Sequence, residues 1–230
     1  MSRRRGTCHD VGVFDSPTHF LLHHYGRPGD LELISSAAHR TEDALRALEA
    51  GDHEKAHALW AAVDGDALLE AWNSSNTRIR EVGPKWSLDR PDPIGPPGRF
   101  VNATLARTIY ERDSYRCRYC NLPVFTRARG SRIRALIKAF PGLTPGMRVE
   151  GNALVGTGKN GGIRNIDYAK ILWSMAAPDH VFPRSLGGDA TFDNLVTSCS
   201  GCNYGKGELT LEQMNVRHPK RPTSRSLLTN

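Results

Sequence analysis

Two C-x-x-C pairs, Cys117/Cys120 and Cys199/Cys202, constrain this chain more than any other feature. Each pair sets two thiolates on one tight turn, and the two turns together supply the four corners of a tetrahedral metal site. Closing that site fastens two distant segments and stabilises a small, loop-rich module that lacks much core of its own. Four thiolates leave no open position for water, so the expected ion is structural Zn²⁺. A redox dithiol is the competing reading of one such pair, but a redox motif would not normally come twice beside a basic stretch. Cys8, the fifth cysteine, has no mate and reads as an unliganded thiol despite the adjacent His9.

Charge is divided along the 230 residues. Residues 1–100 hold 12 Lys and Arg against 15 Asp and Glu, and residues 101–230 hold 19 against 9. The net +7 therefore comes from the C-terminal part, which suits a polyanionic partner, most simply nucleic acid. A solvated basic face without a partner fits the charge alone equally well. No apolar run reaches the length of a membrane helix, and the basic start is not followed by a secretory apolar stretch. The cytosol is the expected compartment.

The expected fold class is α+β, a small helical domain plus a zinc-stabilised domain with an insertion. Residues 1–30 show no clear periodicity. From Leu31 to about Asn76, apolar residues recur at three- and four-residue steps, broken at Gly51-Asp52 and Asp64-Gly65-Asp66, which predicts two or three helices. Five prolines and three glycines between 83 and 98 read as a linker or strap. The expected domains are thus a helical 1–82, the 83–98 linker, and 99–230 with an insert at 121–178. Residues 101–113 read as a short helix or strand. Within the insert, the segment 126–138 holds Arg127, Arg129, Arg132, Arg134 and Lys138 with no acid, either as an exposed basic hairpin or helix face, or as phosphate contacts.

The segment 179–207, "DHVFPRSLGGDATFDNLVTSCSGCNYGKG", carries the candidate chemistry. It reads as an Asp179-His180 pair at a strand start, a Gly187-Gly188 turn, an Asn194-Leu195-Val196 return strand, the second cysteine turn, and a helix opening at Asn203. Adjacent strand residues point to opposite faces. Asp179 and His180 can therefore serve one site only where the strand ends or twists.

In this order the residues resemble the HNH endonucleases and their ββα-metal fold, and "ERDSYRCRYC" resembles the usual lead-in to the first cysteine turn. The resemblance covers 111–124 and 179–214. It implies that His180 is a general base for water and that Asp179 and Asn203 hold one Mg²⁺ or Mn²⁺. Asn194 would brace the hairpin and orient His180. Arg184 and Lys206 would contact phosphate, and the products would carry a 5′-phosphate and a 3′-hydroxyl. DNA is the substrate expected on family grounds, with restriction or phage defence as the setting and a homodimer if both strands are cut. Taken singly, each residue has a plainer account: a surface histidine, a helix-capping Asn203, a turn Asn194, a solvated Asp179. The main rival is a non-catalytic zinc ribbon that binds nucleic acid. A further reading lets the N-terminal helices carry the function as a partner-binding surface.

Overall fold

The computed structural model describes residues 13–82, 101–128, 131–150, 153–156 and 166–219. Cys8, Arg129 and all of the expected linker, 83–98, lie outside the described residues.

Four helices open the fold. α1 (Pro17–Tyr25) starts where the Ser16 hydroxyl accepts the His19 amide and Pro17 takes the first helical position, where its missing N–H costs nothing. This helix lies within residues 1–30, which show no clear periodicity in sequence. Its apolar residues Phe20, Leu21 and Leu22 are consecutive rather than spaced at helical intervals, because the helix is wedged between two cores. Leu21 and Leu22 join one, and Phe20 joins the other. α2 (Asp30–Glu49) turns Ile34, Ala37, Ala38, Ala44 and Leu45 inward. Gly51, at φ 78°, makes the left-handed turn into α3 (His53–Ala61), which Asp52 caps at the Lys55 amide. α4 spans Gly65–Val82.

The segment expected as helix or strand is helix α5 (Ala103–Arg112), capped by Asn102. The basic run forms α6 (Arg132–Ala139), which buries Ile133, Leu136 and Ile137. A hairpin of β1 (Met147–Glu150) and β2 (Ala153–Gly156), then α7 (Ile166–Leu172), complete the insert. Next come β3 (Ala176–His180) and β4 (Leu195–Cys199), paired antiparallel with Asp179 opposite Val196 and His180 opposite Leu195. α8 (Ser200–Lys206) follows directly. Asp179-His180 therefore closes a strand rather than opening one, because pairing extends back to Ala176 opposite Cys199.

The larger core runs from Ile34, Leu45, Trp60 and Leu68 through Leu136 to Ile171 and Trp173. Helices before position 83 and elements of the 121–178 insert thus share one apolar cluster. Trp173 pins them together. Its indole N–H donates to the Leu68 carbonyl at 3.1 Å, and its ring meets Trp72 edge-on at 4.8 Å. A Cβ on Gly201 would come within 2.8 Å of the Trp173 ring, so α8 needs glycine to pack there. The smaller core gathers Phe20, Tyr119, Val196, Leu211 and Met214 around three of the cysteines.

Asp113 locks α5 to the β3–β4 hairpin. Arg112 donates to both its carboxylate oxygens at 2.8 Å, and the Thr197 amide donates to one of them at 2.8 Å. Arg112 also reaches the carbonyls of Phe192 and Leu195. The Asp113 side chain is fully buried. Asp113→Ala leaves Arg112 without its counter-charge and the Thr197 amide without its acceptor. Thermal or denaturant melts are expected to show a loss of about 3–5 kcal/mol; a loss under about 1 kcal/mol would remove this anchor from the account.

Candidate active site and metal centre

The four expected ligand sulfurs converge. All lie within 4.8 Å of one another, with Cys120 and Cys199 3.7 Å apart. A tetrahedral ion with metal–sulfur bonds near 2.3 Å needs sulfurs roughly 3.8 Å apart, so the cluster fits such an ion with small adjustment. Backbone geometry explains the convergence. In the first turn the Cys117 amide donates to Leu122 and the Asn121 amide to Cys117, with Asn121 in the left-handed region at φ 59°. The Arg118 amide then docks on the Thr197 carbonyl of β4. In the second, Cys199 ends β4 and its sulfur accepts the Cys202 amide as the cap of α8. Burial opposes ionisation of Cys117, yet hydrogen bonds from the other three sulfurs pull its thiol well below the usual range. The four cysteines could hold a metal, and they stand where hairpin meets helix.

Sequence reasoning did not find Thr18, whose hydroxyl lies 2.9 Å from the Cys202 sulfur. It comes from α1, some 180 residues earlier in the chain, and no local pattern could reveal that.

Beside the cluster lies the second constellation. Asp179 is buried, accepts the Tyr119 hydroxyl at 2.6 Å, and sits 3.6 Å from the Lys206 ammonium. Burial is the larger influence on both members of this pair. It pushes Asp179 up and Lys206 down, and each is partly held back by the other's charge. Burial and the neighbouring Asp179 charge push the Tyr119 phenol well up, so it remains a donor. Tyr119 was not singled out from sequence, since nothing there tells which residue inside C-x-x-C turns inward. Lys206, expected at a phosphate, is only 1 % exposed and faces Asp179. That is not the surface position a phosphate contact needs.

His180 is the last residue of β3, half-buried, and its Nε2 is buried without a hydrogen-bond partner among the described residues. Burial, then the charges of Lys206 and Arg184, lower its pKa below 6.5, with Asp189 opposing. The imidazole is thus kept neutral and able to accept a proton near neutral pH. The Lys206 charge acts on both Asp179 and His180, which are the last two residues of β3.

Asn194 clamps the loop that follows. Its amide oxygen accepts the Phe182 amide at 2.8 Å, and its amide nitrogen donates to the carbonyls of Phe182 and Asp189. The glycine pair completes the turn. Gly187 has φ 96°, and a Cβ on Gly188 would fall 2.0 Å from the Phe182 carbonyl. Arg184 is half-buried on the single helical turn between Pro183 and Gly187 and is already engaged. Asn203 is half-buried within α8.

The insert arginines are dispersed. Arg132 pairs with Glu49 of α2, so the acid its own segment lacks is supplied across the fold. Arg134 is half-buried and bonded, and Arg127 lies over the Tyr168 ring at 5.8 Å.

A two-stranded hairpin running into a short helix, with four cysteines at the corner and an Asp-His pair at the strand end, defines an α+β module built around a candidate metal site. Residues 174–218, about a fifth of the chain, match the family model of HNH endonucleases, which points to a nuclease acting on nucleic acid. No curated protein and no solved structure matches the chain. No helix among the described residues is long and apolar enough to cross a membrane.

Proposed function

We propose that this chain is a metal-dependent endonuclease that hydrolyses phosphodiester bonds of DNA, with Zn²⁺ in the four-cysteine site as a structural ion. The observation that carries the proposal is His180, whose buried Nε2 has no hydrogen-bond partner among the described residues, next to Asp179 in the segment that matches the nuclease family.

In this reading His180 takes the proton from a water as the water's oxygen attacks phosphorus. The bond from phosphorus to the 3′-oxygen breaks, and that oxygen leaves with a proton from solvent. The products carry a 5′-phosphate and a 3′-hydroxyl. Asp179 and Asn203 offer hard oxygen donors that suit Mg²⁺ or Mn²⁺. A divalent ion held there would neutralise charge building on the phosphate and leaving oxygen. Tyr119 holds the Asp179 carboxylate in place, and Lys206 occupies the cationic side of Asp179 in this structure. Asn194 fixes the loop after His180. Arg184 and Arg127 remain the candidates for phosphate contact.

A non-catalytic nucleic-acid-binding zinc module is the second reading. It draws on the fact that Tyr119 and Lys206 already satisfy Asp179. Supercoiled plasmid incubated with Mg²⁺, Mn²⁺ or chelator separates the two. Metal-dependent nicking with 5′-phosphate ends is expected, whereas binding without nicking in either metal supports the second reading. Restriction or phage defence in the cytosol is the proposed setting, with two copies acting together if both strands are cut.

Burial, Lys206 and Arg184 each disfavour the imidazolium form of His180. The base therefore stays available to lower pH than a free imidazole would. A pH–rate profile is expected to lose activity on its acid limb below pH 6.5. A limb clearly above that value would speak against this environment for the base.

A further inference from the structure

Away from His180, a cavity of about 590 Å³ opens between α5, α7 and the segment after the first cysteine turn. Its walls carry Tyr110, Tyr115 and Tyr168 together with Arg107 and Arg127, and no carboxylate is among the described residues lining it. Ala176 and Ala177 of β3 line it as well. Tyr115 is the ring most open to solvent, 40 % exposed, and it also borders a neighbouring hollow of about 330 Å³. It is held there by its backbone. Ser114 and Tyr115 both adopt φ 52°, and the Tyr115 amide donates to the Tyr110 carbonyl while its own carbonyl accepts the Val124 amide. Tyr110 backs it with its ring centroid 6.3 Å away, and the Tyr110 hydroxyl is 3.4 Å from the Ala176 carbonyl. Arg107 is exposed, with Glu111 at 4.0 Å as a solvent-facing neighbour, and Arg127 caps the face of Tyr168.

We propose that this cavity is a subsite for an unpaired, single-stranded stretch of the nucleic acid, in which a base stacks on Tyr115 and the flanking phosphates meet Arg107 and Arg127. The proposal rests on the nuclease reading and names the substrate form that reading leaves open. One feature favours a single strand over duplex. An exposed aromatic ring can stack only on a base whose face is free, which duplex pairing denies. Among the described residues, its charged lining is cationic, as any phosphate backbone requires. The subsite also connects to the chemistry. Ala176, which lines it, and His180 are four residues apart on one face of β3, roughly 13 Å at about 3.3 Å per residue, so a strand that runs from the hollow along β3 would reach His180 within a few nucleotides. The enzyme would then prefer junctions, flaps or locally opened DNA to uniform duplex.

The test uses the full chain carrying His180→Ala, without added divalent metal, so that binding is read apart from cutting. Fluorescence anisotropy with a labelled single-stranded oligonucleotide and its duplex gives the two affinities. Adding Tyr115→Ala is expected to weaken single-strand binding about tenfold or more, the effect typical of losing one base–aromatic stack, while duplex binding stays within about twofold. Tyr115→Phe keeps the ring and should retain the affinity. Arg107→Ala with Arg127→Ala should weaken single-strand binding and flatten its salt dependence. Equal losses for both substrates, or none for single strands, overturn the subsite and leave the cavity to a protein segment. A protein that binds single strands through Tyr115 but never cuts any substrate would retain the subsite and refute the nuclease reading instead.

Discussion

His180→Ala is expected to cut the rate of plasmid nicking by about 10²–10⁴-fold at pH 7.5–8 while leaving the protein folded. The range is the usual contribution of a positioned general base. Retained folding follows from the structure, because the buried Nε2 has no hydrogen-bond partner among the described residues to lose. Removing an unsatisfied polar group costs little stability, in contrast to removing one half of a satisfied pair. The melting temperature should therefore shift by only a few degrees. Cutting by His180→Ala at the wild-type rate would eliminate His180 as base and with it the proposed mechanism. Asn194→Ala supplies a useful contrast. It releases three hydrogen bonds to the loop after His180, so it should lower activity and stability together.

The second large effect concerns the cysteines. Cys202→Ser should remove the bound metal and unfold the module around it. Structural zinc sites contribute about 10–16 kcal/mol in apparent binding energy, which matches or exceeds the about 5–15 kcal/mol of a whole domain's stability. In this chain the sulfurs also form the centre of the smaller core, where Phe20, Val196, Leu211 and Met214 meet. Loss of the ion would leave four thiols crowded within 4.8 Å in an apolar setting. Elemental analysis should find one zinc per wild-type chain and well under half of that in Cys202→Ser, with loss of cooperative melting. Prolonged chelation should reproduce the effect. Cys8→Ser, which lacks a C-x-x-C partner, serves as the control and should change neither zinc content nor melting. A wild-type protein that melts identically with and without a strong chelator would remove the metal from the folding argument.

The spacing of the cysteines, the order of Asp179, His180, Asn194 and Asn203, and the glycine turn between strands were all legible in sequence. Each is a local pattern whose meaning comes from short-range geometry. Two thiolates on a turn, or a left-handed glycine such as Gly187, do not depend on what packs around them. The long periodic helices were legible for the same reason, since Ala44, Leu45, Leu48, Ala56 and Trp60 recur at the helical period. α1 was not, because its consecutive apolar residues serve two separate cores and so show no single stripe.

What sequence by itself determined is which groups are present and which near neighbours they keep. Two cysteine turns, a hairpin bearing an Asp-His pair, and a basic C-terminal part follow from it. Only the tertiary structure decided how distant groups meet. It turned Lys206 inward to face Asp179, brought Tyr119 under that carboxylate and Thr18 against Cys202, and gave Arg132 a partner in Glu49. It also gathered three tyrosines from separate helices and turns into one hollow. The physical reason is that burial and pairing energies belong to the assembled core. They depend on which surfaces are excluded from water together, and a single segment of chain carries no record of that.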